Sequence, residues 1–260
     1  MRTNQTKRKL QSGQTALGCW LTLGSPRAAR ALAAGTTFDW VMIDLEHNPI
    51  DREAMAACVL AVADGSAGRT APMVRVPDLS PGHVKQALDA GAYGILAPMV
   101  MGAADVAAFV ENCLYPPKGI RGVYGGAAFN YTFNPAPGEY FKTASDEILI
   151  AVQIETRPAL AEVDAIAAIE GLDMLFVGPN DLHATLGLQP RYESDEPAFV
   201  AALDSVVAAC RKHGKAAGIL SANPEMASRM IAKGFGFVGI GNDAGHMVNA
   251  AKAVLAQVAT

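Results

Sequence analysis

Cysteine is scarce: four in 260 residues, at Cys19, Cys58, Cys113 and Cys210, with no CxxC pair. That spacing builds neither a disulfide framework nor a zinc knuckle, and it fits a reducing cytoplasm. Long apolar runs are also missing, since none approaches the ~18 residues that a membrane helix requires. Charged residues make up only 18% of the chain, the net charge is −4, and the 21 Lys and Arg residues are dispersed. No basic face is left for nucleic acid. There is no low-complexity linker, and the first strand-to-helix turn reads LTLGSPRAA rather than GxGxxG, so the dinucleotide fingerprint of an open doubly wound sheet is absent.

What the chain does have is rhythm. Short runs rich in Val, Ile, Leu and Phe alternate with longer Ala-rich segments of helical period. Eight strands are expected, at residues 17–23, 40–44, 72–76, 94–99, 147–155, 173–178, 216–220 and 237–241. They are nearly continuous apolar runs, as parallel strands covered by helices should be. The segments between them open on Ser, Asp or Asn beside Pro and close on Gly, which is start and stop chemistry for helices. Eight strand-helix pairs predict one α/β domain over residues 1–260, a (β/α)8 TIM barrel. Residues 1–15, with Arg2, Lys7, Arg8 and Lys9, read as a mobile basic tail. Residues 114–146, dense in Gly, Pro and aromatics, read as a long active-site loop.

In a parallel barrel the chemistry collects at the C-terminal ends of the strands. There the sequence places Asp44, Glu46 and His47, then Arg75, then Gln153 and Glu155, then Pro179, Asn180 and Asp181, and finally Asn242 and Asp243. So many ionisable groups at one mouth demand pairing or a cation. Glu155 and Asp181 come from adjacent strands, and two carboxylates with open positions suit Mg²⁺, Mn²⁺ or Co²⁺. The bland alternatives are an ion pair for Glu155 and a helix N-cap for Asp181. His47 is the candidate base, with Asp44 or Asp89 to orient it, against the alternative of a turn-capping histidine. Arg75, inside PMVRVP, would stabilise an oxyanion or pair with a rim acid. No lysine falls at a strand's C-terminal end, which disfavours a Schiff base and leaves a metal as the electron sink.

The segments WVMIDLEHNP, VRVPD, LDAGAYGILAPMV, YPPKGIRGV, VQIET and FVGPNDLHATLG, in this order, resemble the HpcH/HpaI family of metal-dependent pyruvate-type aldolases along nearly the whole chain. The resemblance implies a barrel of the phosphoenolpyruvate/pyruvate type. It also implies a hexamer, a trimer of dimers that exchange the last helix. By the same likeness Glu155 and Asp181 match the metal ligands, His47 the catalytic base, Arg75 the residue that stabilises the transition state, and Asp89 the acid that raises the histidine's basicity across a subunit contact. Gln153 matches a substrate contact, and the backbone of Gly178, Pro179 and Asn180 would hold the pyruvate carboxylate. The implied activity is reversible cleavage of a 4-hydroxy-2-oxo acid to pyruvate and an aldehyde through a metal-stabilised enolate. Oxaloacetate decarboxylation, a macrophomate-synthase-like reaction or CoA-ester lysis would use the same site, and a non-catalytic 2-oxo-acid-binding barrel is the remaining alternative. One stretch departs from the better-known members: after GIRGV the chain continues YGGAAFNYTFNPAPGEYF, and Tyr124, Phe129, Tyr131 and Phe133 point to a less charged, more aromatic pocket.

Overall fold

The computed structural model describes residues 1–123 and 137–258, with side chains of the second stretch from Tyr140 onward. Its centre is a closed, all-parallel barrel in which each strand pairs with the next and the eighth with the first. The strands are β1 (Ala16–Leu21), β2 (Trp40–Asp44), β3 (Ala71–Arg75), β4 (Gly94–Ala97), β5 (Leu149–Ile154), β6 (Met174–Val177), β7 (Ala216–Ser221) and β8 (Phe237–Asn242). Around them run α1 (Gln5–Gln11), α2 (Pro26–Gly35), α3 (Arg52–Gly65), α4 (Pro81–Asp89), α5 (Ala103–Cys113), α6 (Pro137–Glu147), α7 (Arg157–Ala161), α8 (Val163–Ala167), α9 (Pro179–Thr185), α10 (Pro197–His213), α11 (Pro224–Lys233) and α12 (Asp243–Leu255). The expected (β/α)8 TIM barrel is the observed architecture, with all eight expected strands present.

Local chemistry starts the helices where the sequence predicts. The side chains of Ser25, Asp51, Ser80, Thr156, Asn223 and Asn242 each accept a hydrogen bond from a backbone N–H in the first turn. Each such cap stabilises its helix by about 1 kcal/mol. Aromatic rings fill the barrel: Trp40 stacks on Phe237 at 4.0 Å between centroids, and Trp20 lies 5.4 Å from Phe176. Glycine makes room for them, because a Cβ on Gly18 would stand 2.2 Å from the Trp40 indole.

The N-terminal segment corrects an expectation. Residues 1–15 do not trail into solvent; they carry α1 across the N-terminal end of the barrel. The Asn4 side-chain amide donates to the carbonyls of Tyr93 and Glu147 at 2.9 Å each. Lys7 Nζ donates to the Ile148 carbonyl at 2.7 Å and to Asp173 at 2.9 Å. These acceptors stand just before β4, β5 and β6, so α1 ties three strand starts together.

The same end receives the flanks of the segment expected to be an active-site loop. Ser145 Oγ on α6 accepts from the Tyr115 N–H, and Lys118 pairs with Asp146. The described parts of 114–146 therefore lie at the opposite end from the strand C-termini. Tyr124, Phe129, Tyr131 and Phe133 lie outside the described residues.

Candidate active site

β2 and β3 end in register, Asp44 beside Arg75. The guanidinium meets that carboxylate through two parallel bonds: Arg75 Nε donates to Oδ1 at 2.8 Å and Nη2 to Oδ2 at 2.7 Å. Arg75 is only 8% exposed, and such a burial is tolerable because the charge is answered by a two-toothed acidic partner. Its Nη1 lies 2.9 Å from Glu46 Oε2 and donates to Gln153 Oε1 at 3.2 Å. Gln153 in turn donates through Nε2 to Glu155 Oε2. One polar chain thus runs across the mouth, from β2 through β3 to β5.

Glu155 follows β5 and is buried; its other oxygen accepts from the Met99 N–H at 2.8 Å. Met99 presents that N–H from a left-handed backbone conformation, φ 52°, which a non-glycine residue seldom adopts. Burial pushes the Glu155 carboxyl up to about 7, and the neighbouring charges of Asp181 and Glu46 push the same way, while the two hydrogen bonds oppose them. Burial also raises Glu46, with Arg75 opposing. Gly178 is the wall that lets Glu155 stand there: a Cβ on it would lie 2.0 Å from Glu155 Oε2 and 3.1 Å from Gln153 Nε2.

Gly178 also occupies the N-cap position of α9, and Asp181 lies in that helix's first turn, so Asp181 is not the cap. Its carboxylate is free to face the mouth. A single cleft of about 260 Å³ is lined by Asp44, His47, Arg75, Gln153 and the run Gly178, Pro179, Asn180 and Asp181. Trp20, Thr22, Phe176, Tyr192 and Asn242 complete much of its wall.

Two expected partnerships are not found. Asp44 does not orient His47; it is taken by Arg75 and by Asn48, whose Nδ2 donates to Oδ2 at 2.6 Å. The carboxylate nearest the His47 imidazole is Glu46, 3.6 Å from Nε2, and the imidazole is 60% exposed. Asp89 ends α4 at the other face of the barrel and pairs with Arg121 at 2.7 Å, so within one chain it does not reach His47. Trp20, Thr22 and Tyr192 are among the lining residues not singled out beforehand. Asp243, expected on the rim, ties the β1 loop by accepting from the N–H and the hydroxyl of Thr22 at 2.8 and 2.7 Å. Trp20 carries no signal because a tryptophan in an apolar strand reads as core. Tyr192 carries none because it lies in the long α9–α10 connection rather than after a strand.

Glu155 and Asp181 are the residues that could hold a hard divalent cation, since both offer carboxylate oxygens and the charge of Asp181 acts on Glu155. Among the described residues no group of three or more His, Cys, Asp or Glu side chains stands together so as to hold a metal ion. Gly178 leaves the room that the Glu155 carboxylate needs to stand where it does.

The whole-chain comparisons agree with this geometry. A curated relative from Pseudomonas aeruginosa, "Hydroxypyruvate/pyruvate aldolase", is 38% identical over 240 residues, covering 92% of this chain and 87% of the relative. Another, from Shigella sonnei, "4-hydroxy-2-oxo-heptane-1,7-dioate aldolase", is 37% identical over 254 residues, covering 98% and 94%. Among solved structures, an HpcH/HpaI aldolase/citrate lyase family protein from Burkholderia cenocepacia superposes with a TM-score of 0.89 at 35% identity, over 98% of this chain and 99% of that one. Residues 16–250, which span the barrel from β1 to α12, match the family model for HpcH/HpaI aldolase/citrate lyase. With the motifs, the barrel and the acidic mouth all in agreement, the chain belongs to the HpcH/HpaI aldolase/citrate lyase family.

Proposed function

We propose that the protein is a divalent-metal-dependent pyruvate aldolase that reversibly cleaves a 4-hydroxy-2-oxo acid to pyruvate and an aldehyde. The observation that carries this is the nearness of two carboxylates, Glu155 and Asp181, whose charges repel, with Gly178 leaving room for Glu155 and a guanidinium already fixed in place by Asp44. The activities named for the relatives support it. Glu155 and Asp181 would hold Mg²⁺, Mn²⁺ or Co²⁺. When bound, the cation supplies Lewis-acid polarisation of the substrate's oxygens.

The protein's own groups do the rest. Arg75 is immobilised by Asp44 and Gln153, so it meets developing oxyanion charge without first reorganising. Gln153 positions both Arg75 and Glu155. The start of α9 presents backbone N–H groups to a carboxylate; Pro179 has no N–H, so Asn180 and Asp181 are the donors beyond Gly178. His47, exposed at the mouth, takes the proton of the C4 hydroxyl in the cleavage direction and returns it in addition.

Asp89 would act on His47 only from a second copy, as in the hexamer of exchanged C-terminal helices that the family likeness implies. The exposed Met247, Val248, Val254 and Leu255 on α12 support such an assembly. Four buried, unpaired cysteines support a reducing compartment, the cytoplasm, and no described helix is long and apolar enough to cross a membrane.

The test is pyruvate release from 4-hydroxy-2-oxopentanoate with Mn²⁺ and with EDTA. Glu155→Ala and Asp181→Ala are each expected to lower metal-dependent turnover by at least ~10²-fold while circular dichroism stays that of the parent. Undiminished turnover in both variants would overturn the assignment.

A further inference from the structure

Part of the cleft lining, Trp20, Thr22, Tyr192 and Asn242, is not used by the mechanism. The cleft's described lining holds Arg75 as the only Lys or Arg, and that guanidinium is committed to Asp44, Gln153 and Glu46. Residues 124–136 contain no Lys or Arg either, wherever they stand. Asp44, Glu46 and Glu155 act on that one guanidinium and Asp181 acts on Glu46 and Glu155, so four carboxylates gather near one cation and the mouth offers no surplus positive charge. A second carboxylate on the substrate would meet repulsion and no cationic partner.

On the same cleft wall stands Tyr192, 38% exposed. Its loop is held at three points. Leu188 N donates to the His183 carbonyl at 2.9 Å, and Arg229 Nε donates to Glu193 at 2.9 Å. The third point is His183 itself, buried and stacked on Phe199 at 3.8 Å. Its Nδ1 lies 2.7 Å from the Pro179 carbonyl, which can only accept, so Nδ1 carries the proton and Nε2 accepts from Ser194 Oγ at 2.8 Å. The histidine thus joins α9, which bears Asp181, to the residue two beyond Tyr192. A phenol on an anchored loop is a preformed contact surface, with an aromatic face and one hydroxyl.

Resting on the aldolase reading, we propose that Tyr192 is a specificity residue for the aldehyde-derived half of the substrate, and that this half is uncharged. Tyr192 does not touch the pyruvate half, which belongs to Arg75 and the start of α9.

Aldol addition to pyruvate with Mn²⁺ should be measured on butanal and on succinic semialdehyde, which differ in one carboxylate at the same carbon number, for the parent, Tyr192→Phe and Tyr192→Ala. The parent is expected to favour butanal by at least ~10-fold in kcat/KM. Tyr192→Ala should raise the KM for butanal about tenfold and move the KM for pyruvate less than twofold, with Tyr192→Phe closer to the parent. Succinic semialdehyde used as well as butanal, or an unchanged butanal KM in Tyr192→Ala, overturns the inference. Metal-dependent exchange of the pyruvate methyl protons in the parent, read without any aldehyde, separates these failures from failure of the aldolase reading itself.

Discussion

At the scale of single residues, Gly178 tests the site more sharply than any charged group, because it has no chemistry to lose. A methyl placed 2.0 Å from Glu155 Oε2 must displace the carboxylate or the start of α9. Gly178→Ala is therefore expected to weaken Mn²⁺ binding on the order of 10²-fold in calorimetry with little loss of fold. Unchanged affinity would show that Glu155 does not hold the metal.

Glu155 also makes a prediction about acid and base. Its folded carboxyl titrates at about 7 against an ordinary 4.5, so between those values the folded state binds more protons than the unfolded one. Stability of the metal-free protein must then fall as pH rises through that window, by about 3 kcal/mol in all. Urea unfolding in EDTA from pH 4.5 to 8 should show this slope in the parent and a smaller one in Glu155→Gln, where the raised Glu46 carboxyl still contributes. The placement of Arg75, Glu155 and Asp181 at the strand ends was legible in the sequence because a charge at the end of an apolar run stands out. The capture of Asp44 by Arg75 instead of His47 was not, since it depends on the register of β2 against β3.

At the scale of elements, α1 is the part that sequence reasoning placed wrongly. A short basic segment has the composition of a solvated tail, and the partners that dock it are far along the chain, Glu147 for Asn4 and Asp173 for Lys7. Lys7→Met keeps the aliphatic stem and removes both hydrogen bonds. Urea unfolding should report a loss of about 2 kcal/mol, discounted for the partial exposure of Asp173, with pyruvate release unaffected. A loss of activity with no loss of stability would contradict the structural role given to α1. The eight strands and most of the helices were legible because their caps and periods are local. Between β5 and β6 the chain divides at Glu162 into α7 and α8 rather than running as one helix. Glu162 there accepts from the Ala103 N–H on α5, a demand that local propensity does not encode.

At the scale of the whole molecule, the alternation of eight strands with helices was enough to read a closed barrel, and closure is what brings β2, β3, β5 and β6 to one mouth. Docking of the chain's ends was not readable in the same way, because the flanks of residues 124–136 and α1 are placed by contacts with strand starts rather than by any period of their own. The central claim is that this mouth, with a divalent cation on Glu155 and Asp181, makes the pyruvate methyl group acidic. The most direct measurement is deuterium incorporation into pyruvate in D₂O, followed by proton NMR with Mg²⁺ or Mn²⁺ and again with EDTA. The account predicts exchange that requires the metal and is lost in Glu155→Ala; exchange that persists in EDTA, or in Glu155→Ala at the parental rate, would contradict it.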